Sequence, residues 1–262
     1  MADSRPPPFD VIILAGGRGA RLGGADKPGL VVGSSTMAAI AARAAVTAGA
    51  RQIILVGPDR PDVTAVTAAA AAPPAPGAAA RATAPGAAGA TVPAGAASWA
   101  GAAWAGRLVV TREQPPGAGP VPALRAGLAE VGAPWVTVLA ADLPFLGGDQ
   151  VLSLVAAACD GASAGAVIAD QSGAVQWLAG CWRTDRLGAA LAAYRGSSLR
   201  GLLGPLRPAL VRDTGPGDGP PPWLDCDTPD ELAAARGWLA ARAANPRASG
   251  PDAGVPDPGR TD

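Results

Sequence analysis

The run Val11-Ile12-Ile13-Leu14 breaks without transition into Ala15-Gly16-Gly17-Arg18-Gly19-Ala20-Arg21-Leu22-Gly23-Gly24-Ala25-Asp26-Lys27. A short β-branched run bounded in this way reads as a buried strand. The stretch that follows leaves many backbone N–H groups open, because backbone can crowd an anion only where no Cβ stands in the way. Two arginines and a lysine complete a loop suited to a polyphosphate. Lys27 is the only lysine in the chain, and every other basic residue is an arginine. That bias fits GC-rich coding, and it marks position 27 as one where a compact ammonium serves and a wide guanidinium fork does not. Two common glycine-rich patterns are absent. Gly17-x-Gly19 is followed by Leu22 where a dinucleotide fingerprint needs glycine, and the Gly19 to Gly24 spacing meets Ala25 where a Walker A loop needs lysine.

The rest of the chain alternates strand and helix. Strands are expected over residues 9–14, 52–56, 107–111 and 135–140. Helices are expected over 36–48, capped by Ser34 or Ser35 and stopped by Gly49, then near 62–69 and over 121–131. Continuous apolar strands separated by helices imply an α/β fold with a mostly parallel sheet flanked by helices on both faces. Residues 164–169 and 177–182 flank Gln171-Ser172-Gly173, which reads as a hairpin and puts an antiparallel element in the C-terminal half. A last strand near 223–226 should lead into a helix over 229–243.

At 262 residues, 49% hydrophobic and 16% charged, the chain can bury one sizeable core. Residues 9–244 read as a single domain and residues 1–8 as a flexible N-terminus. Residues 68–106 form an Ala/Pro/Gly-rich low-complexity insertion, in which Pro73, Pro74, Pro76, Pro85 and Pro93 defeat alanine's helix preference and Trp99 and Trp104 can dock its end. Residues 245–262 read as a disordered tail. A formal net charge of +0 gives no general pull toward nucleic acid or an anionic membrane. No apolar window suits a membrane span, and residues 1–10 lack the apolar core of a targeting peptide. Three scattered cysteines without C-x-x-C spacing fit buried thiols in a reducing, cytoplasmic compartment. The absence of histidine excludes histidine triads and histidine metal sites.

Ligands of open α/β sheets bind beyond the carboxyl ends of the strands. The 16–27 loop leaves the first strand, Glu113 and the 115–122 loop leave the third, and Asp142 leaves the fourth. Three distant segments therefore converge on one crevice. Asp142 can bind Mg²⁺ or cap the turn before Pro144. Thr228-Pro229-Asp230-Glu231 fits a capping box, which leaves Asp227 just outside the helix, free to ligate or to shape the turn. Asp225 would face the same side if the strand continues.

Leu14-Ala15-Gly16-Gly17-x-Gly19-x-Arg21-Leu22-Gly23-x-x-x-Lys27 resembles the signature of nucleotidyltransferases with a Rossmann-like, glycosyltransferase-A type fold. The Asp26-Lys27 pair is similar to that of molybdenum cofactor guanylyltransferases. Gly119-Pro120-Val121-Pro122-Ala123, Ala141-Asp142-Leu143-Pro144-Phe145 and Asp225-x-Asp227-Thr228-Pro229-Asp230-Glu231-Leu232 follow in the matching order, so the resemblance spans about residues 9 to 243. It implies transfer of GMP from GTP to the phosphate of molybdopterin cofactor, with Mg²⁺ and release of pyrophosphate. The implied catalytic residues are Arg21, Lys27 and Asp142. The implied nucleotide contacts are Leu14, Ala15, Gly16, Gly17, Gly19, Arg21, Lys27, Glu113 and Asp142, with Asp142 and Asp227 on the metal. Molybdoenzyme maturation proteins are the implied partners, with neither nucleic acid nor membrane. The chain departs from the pattern at Glu113, where aspartate is usual, at Gly57, where some members have asparagine, and at Trp177-Leu178, where proline is more usual. Cytidylyl transfer to the same cofactor, guanylyl transfer to another phosphorylated small molecule, and a catalytically weakened nucleotide-binding regulatory protein remain alternatives.

Overall fold

A computed structural model describes residues 6–16, 25–72, 103–170, 172–212 and 220–244. Strand β1 (Phe9–Leu14) lies inside a seven-stranded sheet of order β5-β4-β1-β6-β8-β7-β9. Its neighbours β4 (Gln52–Val56) and β6 (Trp135–Ala140) are both parallel to it, and β5 (Arg107–Thr111) extends the parallel set beyond β4. On the other side β8 (Val175–Arg183) runs antiparallel between β6 and β7 (Gly165–Ala169), and β9 (Ala209–Arg212) closes the edge parallel to β7. The α/β architecture, mostly parallel with an antiparallel portion, is therefore as expected. Strand β1 sends its chain to β4 on one side and pairs with β6 on the other, so the strand order reverses beside it, which is where open α/β sheets bind ligands.

Alternation along the strands builds two cores. Val11, Ile13, Ile53 and Leu55 face one layer, packed against α1 (Met37–Thr47) and α4 (Gly148–Asp160). Ile12, Leu14, Ile54, Val56, Val136 and Val138 face the other, under α3 (Pro120–Leu128), α5 (Thr184–Ala193) and α6 (Leu199–Leu203). Helix α2 (Pro61–Ala71) covers the β4 side, with Val63 buried in the first core. A third, smaller cluster joins Val32, Met37, Cys226, Leu232 and Ala235. It glues the hairpin β2 (Val31–Val32) and β3 (Ser35–Thr36) and the start of α1 to the last helix, α7 (Pro229–Ala244).

Several expectations are corrected. Thr36, not Ser34 or Ser35, caps α1, accepting from the Ala39 N–H at 3.2 Å, because the helix begins one residue later than expected, at Met37. Residues 223–226 form no strand; the edge beside β7 is taken by β9, which the sequence pattern missed along with α4, α5 and α6. Helix α2 runs on to Ala71, past the expected end near 69, whereas Trp104 docks on the body as expected, its indole N–H donating to the Ala50 carbonyl at 2.6 Å. Trp99 and residues 73–102 fall outside the described residues, as does the 245–262 tail. Burial pushes the Cys159 thiol up to about 11, Cys181 to about 12 and Cys226 to about 11, so none is a thiolate at neutral pH, although Cys159 is only half-buried. Among the described residues no helix is long and apolar enough to cross a membrane.

Asp10, fully buried in β1, is the polar exception in the central strand. Its Oδ2 accepts from the Gly132 and Ala133 N–H groups at 2.8 and 2.9 Å, and its carboxylate also receives the Arg51 guanidinium at 3.2 and 3.3 Å. It fixes the turn that enters β6 against the start of β1. Asp10→Ala would strand two backbone donors in the interior, each costing about 1–3 kcal/mol. Urea unfolding should show a loss of about 3 kcal/mol, and a loss below about 1 kcal/mol would remove Asp10 from this role.

Candidate active site

The carboxyl end of β1 is held by backbone on both sides. The Ala15 N–H donates to the Val56 carbonyl at 2.9 Å, and the Ala141 N–H donates to the Leu14 carbonyl at 3.1 Å. Leu14 and Ala15 are buried, whereas Gly16 is exposed at the mouth. Gly57 follows β4 with φ 149°, and a Cβ there would lie 2.9 Å from the Ala15 carbonyl carbon. Glycine at 57 is therefore required by the close approach of two backbones, and any asparagine-like side-chain contact is absent. Gly17, Gly19 and Arg21 lie outside the described residues.

Lys27 opens a one-turn 3₁₀ helix, Lys27–Gly29, with Pro28 in its first turn. Its side chain is largely buried, and Nζ donates to Asp142 Oδ2 at 2.6 Å and to Asp227 Oδ1 in a still shorter contact. Residues 115 and 200 positions away in the chain thus meet on one ammonium. Burial pulls the Lys27 pKa down, but hydrogen bonds and charge from the two carboxylates outweigh it and hold the pKa above its ordinary value. The group is a fixed cation at neutral pH. Asp142 leaves β6 and Asp227 precedes α7, as the motif spacing anticipated.

Asp227 is oriented by the predicted capping box. Glu231 Oε2 accepts from the Asp227 and Thr228 N–H groups, both at 2.8 Å, and the Glu231 N–H donates to Thr228 Oγ1 at 3.3 Å. The Thr228 contacts, then the Asp227 backbone, hold the Glu231 carboxyl below the usual range. Phe145, three residues past Asp142, meets Trp238 of α7 edge-to-face with ring centroids 5.5 Å apart. The two carboxylates are thereby tied to one packing unit. Asp225 lies nearby without a strand to carry it; burial, then the Asp227 charge, raises its pKa.

Glu113 sits on the other flank, beside Gly16. It is 5% exposed; Oε1 accepts from the Gly117 N–H at 2.8 Å, and buried Oε2 has no partner among the described residues. A Cβ on Gly16 would be 3.6 Å from Oε1 and 3.9 Å from Oε2, so the carboxylate fills the space above that glycine. An unpaired buried acceptor at a cleft mouth is costly unless a ligand donor meets it. Sequence reading missed one feature close to Lys27. Arg60, at the start of α2, grips the Asp26 carboxylate through both terminal nitrogens, at 2.9 and 2.5 Å. Nothing in the pattern around Arg60 set it apart from the other arginines.

Residues 11–210 match the family model of the MobA-like NTP transferase domain, and the chain belongs to that family. It is a nucleotidyltransferase. Among solved structures it is similar to a nucleotidyl transferase from Methanothermobacter thermautotroptrophicus (14% identity, TM-score 0.60, 89% of this chain and 98% of that one). It is also similar to molybdopterin-guanine dinucleotide biosynthesis protein A from Archaeoglobus fulgidus (14%, 0.56, 88% and 99%). A third similar structure is 2-C-methyl-D-erythritol 4-phosphate cytidylyltransferase from Thermus thermophilus (18%, 0.53, 89% and 99%). No curated protein sequence matches the chain. Asp227 lies beyond the span of the family model yet meets Lys27 in the site.

Enzymes of this family generally use a divalent metal. The residues present fit one. Asp142 and Asp227 converge on the Lys27 ammonium, and their side chains are 26% and 39% exposed, so both carboxylates keep accessible surface for a metal. Among the described residues no group of three or more ligating side chains could hold a metal by itself. A pair of carboxylates completed by substrate phosphates is the donor set Mg²⁺ favours.

Gly57→Ala tests the backbone seam behind this site. It combines an unfavourable φ with a contact that backbone cannot yield, so a loss of about 1–3 kcal/mol is expected. A melting temperature equal to wild type would show that the Ala15–Gly57 approach is not fixed.

Proposed function

We propose that the protein transfers GMP from GTP to the terminal phosphate of a molybdopterin-type cofactor, releasing pyrophosphate in an Mg²⁺-dependent reaction. The observation that carries the transfer chemistry is Lys27, a permanent cation buried between Asp142 and Asp227 at the switch point of the sheet. A phosphate monoester is ionised at neutral pH and needs no general base, which suits a chain without histidine. One acceptor oxygen attacks the α-phosphorus of GTP, and the bond from the α-phosphorus to the bridging oxygen breaks, its electron pair leaving with pyrophosphate. The protein's task is alignment and charge neutralisation. Lys27 and Arg21 hold the charge that builds toward pyrophosphate, and the backbone of Leu14, Ala15, Gly16, Gly17 and Gly19 cradles the phosphates. Mg²⁺ on Asp142 and Asp227 would supply Lewis-acid neutralisation of the phosphate oxygens.

Base choice rests on Glu113. Guanine presents N1–H and N2–H₂ as adjacent donors, and Glu113 Oε2, unpaired among the described residues, is an acceptor placed to receive such an edge or a ribose hydroxyl. Cytosine offers a smaller donor set. This reading assigns the protein to molybdenum cofactor biosynthesis in the cytoplasm, with molybdoenzyme maturation proteins as its partners. It takes residues 9–244 as one catalytic domain carrying a 68–106 insertion.

Three experiments test it. Pyrophosphate release with molybdopterin cofactor should favour GTP over CTP and ATP by tenfold or more, and Glu113→Ala should narrow the preference; CTP outcompeting GTP would move the assignment to cytidylyl transfer. Lys27→Ala should keep the fold and lose about 2.7–4 kcal/mol of transition-state stabilisation, a fall of 100- to 1000-fold. Asp142→Asn should raise the Mg²⁺ concentration needed for activity. Wild-type turnover in Lys27→Ala would remove the phosphate clamp.

A further inference from the structure

Arg60 and Asp26 form an ion pair whose energetics do not favour stability. The Arg60 side chain is 6% exposed and that of Asp26 is 63% exposed. The arginine thus bears the desolvation cost while its partner remains largely in water, where attraction is screened. Arg60 Nε is also buried without a partner among the described residues. An apolar side chain of similar volume at position 60 would serve packing at least as well.

What the pair supplies is geometry. Asp26 immediately precedes Lys27 and stands at the N-cap of the Lys27–Gly29 turn, but its side chain makes no capping bond because Arg60 holds it. Its backbone carbonyl accepts the Gly29 N–H at 2.9 Å, closing the turn that aims Lys27. A Cβ on Gly29 would come within 2.5 Å of Asp26 Oδ2 and 3.2 Å of Arg60 Nη1, so the turn is wrapped directly onto the ion pair. Arg60 is itself fixed, since its carbonyl accepts the Thr64 N–H at 3.1 Å and Thr64 Oγ1 at 3.3 Å in the first turn of α2. A planar guanidinium held on both carboxylate oxygens restrains rotation as well as distance, which a single ammonium contact cannot do.

We propose that Arg60 is a positioning residue for the nucleotide: through Asp26 it fixes the turn that aims Lys27 at the triphosphate. This rests on the phosphate-clamp reading of Lys27 given above. Arg60 touches no reacting atom; it sets the backbone from which Lys27 reaches the cleft.

The test is GTP affinity by calorimetry in the presence of Mg²⁺, beside thermal denaturation, for wild type, Arg60→Met, Arg60→Lys, Asp26→Asn, Lys27→Ala and the Arg60→Met/Lys27→Ala double variant. Arg60→Met should weaken GTP binding about tenfold with a nearly unchanged melting temperature. Arg60→Lys should be intermediate. Once Lys27 is gone, Arg60→Met should cost nothing further, because both act through one ammonium. Asp26→Asn changes a largely exposed side chain, so it reports on the same link if Arg60→Met does not fold, and it too should weaken binding. Wild-type affinity in Arg60→Met and Asp26→Asn, or an equal loss from Arg60→Met with and without Lys27, would overturn the inference while Lys27→Ala still weakens binding. A wild-type protein that binds neither GTP nor CTP, or a Lys27→Ala variant that binds its triphosphate as wild type does, would overturn the clamp reading and this inference together; a protein that binds CTP in place of GTP is put through the same variants with CTP, and the same outcomes decide.

Discussion

Strand β1 is buried on both faces and hydrogen-bonded along both edges, and the site hangs from its carboxyl end. Because β4 and β6 both run parallel to β1, their carboxyl ends emerge on the same side. The chain leaving β1 therefore has no neighbouring strand to follow, and it opens a crevice between the two directions in which the sheet is wound. Ala15, Gly57 and Ala141 close that crevice from below through backbone hydrogen bonds to Val56, Thr111 and Leu14. Asp10 secures the opposite end of the same strand. A single strand thus sets both the stability of the sheet and the place of the candidate site.

The site is completed by a second constraint of a different kind. Lys27, Asp142 and Asp227 belong to segments that share no strand. They are brought together by the small apolar cluster of Val32, Met37, Cys226, Leu232 and Ala235, with Phe145 and Leu239 against it. Arg236 adds a hydrogen bond to the Val31 carbonyl at 2.9 Å, pinning α7 to the hairpin that follows Lys27. Helix α7 lies beyond the span of the family model, yet its capping box presents Asp227 to Lys27. The C-terminal helix is therefore part of the site rather than an appendage. The electrostatics follow from that packing: one cation between two carboxylates keeps its charge despite burial, and the carboxylates keep accessible surface for a metal.

The strands that place the site were legible because each is a mostly apolar, β-branched-rich run. Phe9–Leu14, Gln52–Val56, Arg107–Thr111 and Trp135–Ala140 stand as expected, each a short apolar run between breakers. The capping box at Thr228 was legible because its spacing is local. Helices α4, α5 and α6 were not anticipated, although the buried Val151, Leu154, Val155 and Ala158 of α4 recur at helical spacing and that signal was present in the sequence. Strand β9 was missed because Ala209–Arg212 is four residues long and owes its state to pairing with β7. The stretch 223–226 has strand-like residues but stays irregular, with Cys226 buried against Val32 and Met37 instead of pairing in the sheet.

By itself the sequence determined the parallel α/β half, gave the expectation of an anion-binding loop after β1, and singled out the candidate residues Lys27, Glu113, Asp142 and Asp227. Each of these depends on local pattern: apolar runs, missing Cβ atoms, and charged residues at strand ends. Only the tertiary structure decided that Lys27 sits between Asp142 and Asp227, that Glu113 keeps one buried oxygen unpaired among the described residues beside Gly16, that Gly57 is held by the approach of Ala15, and that Arg60 grips Asp26. The physical reason is distance along the chain. These contacts join segments between 34 and 200 residues apart, and their geometry is set by how the sheet and the third apolar cluster pack rather than by any residue's neighbours in sequence.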